Sequence, residues 1–169
     1  MENKKKSNQK AIIAVGVSAV LLTAVLVTVA VLYPSLKAKS ALRNITDRLS
    51  DSAVKIATVY DPDEGQNLFE EGGVERIASD SERERLSELI LKITDGASYS
   101  SRDTKEIFFD YGFRIRFRLS SDESVGFFIS DGFFYITSNG VRYFFTPGDE
   151  DAYLELITLA HSIIKSETP

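Results

Sequence analysis

The longest apolar run lies near the start of the chain. Ala11 to Tyr33 reads AIIAVGVSAVLLTAVLVTVAVLY, 23 residues without a charge. As a helix rising about 1.5 Å per residue, about 20 apolar residues cross a hydrocarbon core of roughly 30 Å. Ser18, Thr23 and Thr28 are its polar positions, and their hydroxyls can bond back to helix carbonyls. Tyr33 suits the membrane interface, and Pro34 marks the end of the span. A cleaved signal peptide would carry a shorter apolar region, about 7–15 residues. Ala38 and Ser40 offer a cleavage-like pair and keep that rival open. Residues 11–33 therefore read as an uncleaved signal anchor that meets membrane lipid, behind a tail at 1–10.

The period then changes. Across 34–50, Ala38, Leu42, Ile45 and Leu49 recur at helical spacing, which predicts a stalk or the first helix of the domain at 51–169. Ser52 to Tyr60 is rich in β-branched residues and predicts a strand. Asp61 to Gly73 carries Pro62, Gly65, Gly72 and Gly73 and reads as a loop. A helix follows from about Asp80 to Thr94, with Leu86, Leu89, Ile90 and Ile93 as its stripe. Ser79 with Glu82, or Ser81 with Glu84, could form its capping box, and Gly96 stops it. Ala97 to Thr104 reads as a polar connector.

From 105 to 146 the pattern is that of strands. Phe113, Ile115, Phe117 and Leu119 alternate with Arg114, Arg116 and Arg118, which predicts a strand buried on one face. Asp131-Gly132 and Asn139-Gly140 are preferred two-residue hairpin turns. They set Ile129 opposite Phe134, Ile136 opposite Tyr143 and Phe134 opposite Phe145. A three-residue loop at Ser121–Glu123 would set Phe117 opposite Phe127 and Ile115 opposite Ile129. All three connections place Ile115, Phe117, Phe127, Ile129, Phe134, Ile136, Tyr143 and Phe145 on one face, because side chains alternate with a period of two. Residues 105–111 add a fifth strand. Asp149, Glu150 and Asp151 suit the N-terminus of a last helix, whose stripe is Tyr153, Leu156, Ile157, Ala160, Ile163 and Ile164. The expected fold is α+β: an antiparallel meander of about five strands packed with two or three helices.

Charge adds topology. Seven of the 20 Lys and Arg residues fall within 1–43, but only Glu2 of the 25 Asp and Glu residues does. Residues 44–169 keep 13 basic and 24 acidic groups, a net charge of −11. Such a domain repels phosphate backbones, so no nucleic-acid partner is expected. Lys4, Lys5, Lys6 and Lys10 crowd the tail, while Lys37, Lys39, Arg43 and Arg48 follow the span. The comparison is close; the short dense tail favours a cytoplasmic N-terminus and an extracytoplasmic domain at the cell membrane.

Candidate chemistry is sparse. There is no cysteine and one histidine, His161. That excludes disulfides, thiolate metal sites and cysteine nucleophiles, and leaves no metal or other cofactor expected. No catalytic set emerges: no nucleophile is matched to His161, and Asp61 to Asn67 departs from calcium-loop spacing. The same register puts Arg114, Arg116, Arg118, Phe128, Phe133, Tyr135, Arg142 and Phe144 on the second sheet face, with Arg116 opposite Phe128. Guanidinium beside aromatic rings suits a ligand, peptide or protein partner. It equally suits a self-satisfied face, partly covered by a helix.

In the order of its elements, and most in Phe133 to Phe145 with the Asn-Gly turn and the acidic start of the last helix, the chain resembles small uncharacterised single-span extracytoplasmic α+β domains of Gram-positive bacteria. The resemblance implies a domain displayed outside one N-terminal span. Two functions follow as expectations: a non-enzymatic membrane-tethered binding or assembly module, or an envelope hydrolase using carboxylates.

Overall fold

The computed structural model describes residues 2–62, 73–101, 112–130 and 132–166, with the backbone alone at residues 2–17, Ala19 and Pro62. The chain separates into two units, Met1–Lys37 and Ala38–Pro169.

Helix α1 covers Glu2–Asp51, and Pro34 lies inside it rather than ending it. In the first unit the large apolar side chains from Val20 to Leu36 are 52–69% exposed. A window of 18 residues here has a mean hydropathy of 1.9 and no buried share. A helix that is apolar all round requires an apolar surrounding, and none of the described residues bury this one. It is a candidate membrane span or signal anchor. The Thr28 hydroxyl donates to the Ala24 carbonyl at 2.8 Å, the back-bonding its sequence setting predicts.

The second unit is α+β. Its strands are β1 Val54–Pro62, β2 Gly73–Ile77, β3 Ser98–Ser100, β4 Gly112–Leu119, β5 Ser124–Ser130, β6 Phe133–Ser138 and β7 Val141–Thr146. They form one antiparallel sheet in the order β2-β1-β4-β5-β6-β7-β3. Helices α2, Asp80–Thr94, and α3, Glu150–Lys165, complete it.

Among the described residues seven strands replace the meander of five expected. β1, expected as a strand outside the meander, joins it beside β4, and β2 and β3 are additions of five and three residues at the two edges. Their sequences, GVERI and SYS, carry little periodicity; pairing to β1 and β7 makes them strands. The expected strand at 105–111, most of the loop at 61–73, and Asp131 lie outside the described residues.

The meander keeps the expected faces. Phe134 pairs with Phe145, Ile136 with Tyr143 and Ile129 with Phe134. Asn139 and Gly140 have φ of 51° and 75°, the left-handed pair that a type I′ turn needs. The β4–β5 loop differs. The Leu119 N–H donates to the Glu123 carbonyl at 2.8 Å, and Asp122 takes φ 62°. The loop is therefore Ser120–Asp122, a three-residue turn ending in a left-handed residue. Moving the loop by one residue moves the register by two, so Phe117 pairs with Val125 and Ile115 with Phe127. An even shift leaves every side chain on its face.

The expected core face is buried. Ile115, Phe117, Phe127, Ile129, Phe134, Ile136, Tyr143 and Phe145 share one core with residues of all three helices. Ala38, Leu42, Ile45 and Leu49 of α1 belong to it, as do Leu86, Leu89, Ile90 and Ile93 of α2. From α3 come Ala152, Tyr153, Leu156, Ala160 and Ile163, with Ile157 and Ile164 packed partly against them.

Caps fix the helix starts. The Ser79 N–H donates to Glu82 Oε2 at 2.7 Å, and the Glu82 N–H reaches Ser79 Oγ at 3.5 Å. Of the two possible capping boxes, this one forms. The Ala152 N–H donates to Asp149 Oδ1 at 2.9 Å. Gly148 ties the turn before α3 to the end of α2: its N–H donates to the Ile93 carbonyl at 2.9 Å. A Cβ there would stand 1.7 Å from the Asp95 carbonyl oxygen, so only glycine fits.

Candidate functional site

The second sheet face divides into two parts. Phe128, Phe133, Tyr135 and Phe144 are buried together with Tyr60 of β1 in a separate aromatic cluster. Phe128 stacks on Tyr135 with ring centroids 4.3 Å apart, and Tyr135 lies 5.2 Å from Phe144. Burial pushes the Tyr135 phenol well above the ordinary tyrosine range, against the opposing pull of Arg142 and Arg114. Four of the eight residues expected on this face, Phe128, Phe133, Tyr135 and Phe144, are thus core residues of this cluster.

The arginines lie around it. Register places Arg114, not Arg116, opposite Phe128. The Arg114 guanidinium carbon sits 4.7 Å from the Tyr60 ring centroid, and that of Arg142 sits 5.9 Å from Tyr135. Both are half-buried and spread their charge over aromatic faces. Arg118 is exposed and faces Asp122 at 3.5 Å, a carboxylate that also takes Lys55 at 3.2 Å.

Arg116 differs from all three. It is exposed, and among the described residues it is in no ion pair. The pairings make it the third member of a row across four strands: Ile77 of β2, Thr58 of β1, Arg116 of β4 and Gly126 of β5. Ile77 is 72% exposed. Gly126 leaves bare backbone beside the guanidinium. An apolar group, a hydroxyl, a cation and a position without a side chain thus follow one another at strand spacing, about 4.8 Å. Sequence reading finds Arg116 but misses Tyr60 and Ile77. The alternation of Thr58 and Tyr60 against Ala57 and Val59 is the signal for Tyr60; Ile77 carries none, because β2 is not legible.

A groove of about 520 Å³ opens elsewhere, between the Lys39–Ser50 stretch of α1 and the end of α2. It holds two carboxylates, Asp47 and Asp95, and two cations, Lys39 and Arg43. All four side chains are exposed, so neither carboxyl has the desolvated setting that a general acid needs. His161 is exposed on α3, its ring 4.6 Å from and edge-on to Phe113. Among the described residues no three His, Asp or Glu side chains gather as a metal site. Arg85 bridges Glu88 and Glu155 at 2.5 Å each, joining α2 to α3. Its hydrogen bond holds the Glu88 carboxyl below the usual range.

No family model, curated protein or solved structure matches this chain.

Proposed function

We propose that the protein is a non-enzymatic binding or assembly module, tethered to the cell membrane by residues 11–33 with its domain outside. Its partner is a protein or peptide at the membrane surface, docking along the row Ile77, Thr58, Arg116 and Gly126. One observation carries this reading: an exposed arginine that is in no ion pair among the described residues, beside a large exposed apolar side chain, on a domain of net charge −11. Elsewhere on that domain arginines meet the surplus carboxylates. A guanidinium left over suits a partner's carboxylate, and Ile77 suits an apolar contact. The basic tail supports the orientation.

The test is crosslinking and pull-down of the tagged full chain from its native membrane. Arg116→Glu with Ile77→Asp should abolish recovery of the partner that the wild type captures, while the domain stays folded. Recovery unchanged by that double variant would remove the row from consideration. Protease added to intact cells should reach the domain; protection until lysis would reverse the orientation.

A further inference from the structure

We infer that the groove between α1 and α2 binds the headgroup of a phospholipid carrying a phosphate and a primary amine but no carboxylate, that is, phosphatidylethanolamine. The inference rests on the reading that residues 11–33 span a membrane, but it concerns a different surface from the arginine row.

Four features carry it. The first is place. Lys39 stands six residues after Tyr33 in sequence, a contour of about 20 Å at most, whatever the backbone does between them. Chain connectivity therefore keeps the Lys39 end of the groove within that distance of the end of the apolar run. The second is size. About 520 Å³ lies within the usual range of small-molecule sites, and it exceeds what a headgroup requires.

The third is the order of charge. Lys39, Arg43 and Asp47 follow one another at helical i, i+4 spacing on α1, about 6 Å apart along its axis. The cations come first, counted away from the apolar run, and the carboxylate after them. A phosphate joined through two carbons to an ammonium complements that sequence, phosphate on the cations and ammonium on the carboxylate. Asp95 adds a second carboxylate at the C-terminal end of α2, where the helix dipole is negative. Lys39 and Asp95 are in no ion pair among the described residues. Arg43 and Asp47 pair at 3.7 Å, with side chains 84% and 62% exposed. So open a pair is worth little, and a phosphate on Arg43 with an ammonium on Asp47 replaces it readily.

The fourth is selectivity. A purely anionic head would meet Asp47, Asp95 and the negative end of α2. A quaternary ammonium has no N–H to donate and is held by aromatic faces, but among the described residues no aromatic side chain lines the groove. A primary ammonium finds acceptors in the two carboxylates and in the hydroxyls of Thr46, Ser50 and Ser98. Leu42, Leu91 and Ala97 supply apolar wall for the two-carbon spacer.

The full chain, reconstituted into bilayers of equal parts phosphatidylethanolamine, phosphatidylcholine and phosphatidylglycerol, is released for native mass spectrometry. Phosphatidylethanolamine should remain bound in preference to either of the others by about fivefold, the ratio that about 1 kcal/mol of selective contact gives. Asp47→Asn with Asp95→Asn should erase the preference over phosphatidylcholine. Lys39→Gln with Arg43→Gln should lower retention of all three lipids. Equal retention of the three lipids by the wild type would overturn the inference. So would a preference untouched by both double variants. Displacement of the lipid by soluble phosphoethanolamine at equal concentration would also overturn it, because the ligand would then be the free headgroup. Alkaline carbonate washing of the same bilayers separates this failure from that of the membrane reading. A chain that resists extraction without lipid preference defeats the groove alone. A chain that washes off defeats the span, and the groove with it.

Discussion

On the helix-covered face of the sheet, Phe117, Phe127, Phe134 and Phe145 are wholly buried against α1, α2 and α3. On the other face, Tyr135 and Phe144 are nearly as deep, in a cluster of only five aromatic residues bordered by arginines. The first face is a closed core. The second is half core and half polar surface, and the boundary crosses the strands, between the row Tyr60, Arg114 and Phe128 and the row Thr58, Arg116 and Gly126. Arg114 lies at that boundary, pairing with Phe128 on one side and covering Tyr60 on the other. Aromatic content therefore does not mark an exposed surface in this domain. The proposed docking row rests instead on an exposed charge that is in no ion pair among the described residues, beside an exposed apolar side chain.

The largest effect should come from two neighbours on β4 that point to opposite faces. Phe117→Ala leaves a cavity in the closed core and should cost about 3–5 kcal/mol. Arg116→Ala, one residue earlier, should change stability by less than about 0.5 kcal/mol. Denaturant unfolding of the full chain in non-ionic detergent gives both values. Similar costs for the two would break the contrast between the faces.

That contrast is partly written in the strands. β4 alternates strictly, and its arginine face is the open one. β5 to β7 do not alternate: Phe127-Phe128-Ile129, Phe133 to Ile136 and Tyr143 to Phe145 are continuous apolar runs. Runs of this kind belong to strands covered on both sides, and the structure buries them so. The hairpin turns are legible too, because Asn-Gly supplies two left-handed residues in order. The β4–β5 loop is less so, since the left-handed position falls on Asp122, with no glycine to announce it. The edge strands β2 and β3 are the least legible, because their neighbours, not their own residues, make them strands. The groove escapes any linear reading: it needs the end of α2 beside α1, and Gly148 in close approach to Asp95.

A smaller effect, still well above surface substitutions, should follow Phe144→Ala. Phe144 touches Tyr135 and Phe133 and is 2% exposed. Its loss should cost about 3 kcal/mol, the lower end for a buried phenylalanine, because its cluster is small. A change within about 0.5 kcal/mol would return the whole second face to the surface and restore Phe128, Tyr135 and Phe144 as ligand contacts.

The smallest effect at neutral pH, and the sharpest in kind, belongs to Tyr135. Burial favours its neutral phenol, so the folded group holds its proton where an unfolded tyrosine, near pH 10, releases it. The stability tied to that proton is complete below about pH 10. It falls as pH rises further, by about 1.4 kcal/mol per pH unit, because the unfolded chain then binds fewer protons than the folded one. Tyr135→Phe keeps the ring and removes the proton, so above pH 10 this variant should lose stability less steeply than the wild type. Tyrosinate absorbance should report one late-ionising group in the wild type that is missing from the variant. Parallel pH profiles for the two proteins would mean that the phenol meets water. The aromatic part of the second face would then be open like the row of Arg116, and no boundary would cross the strands between the two.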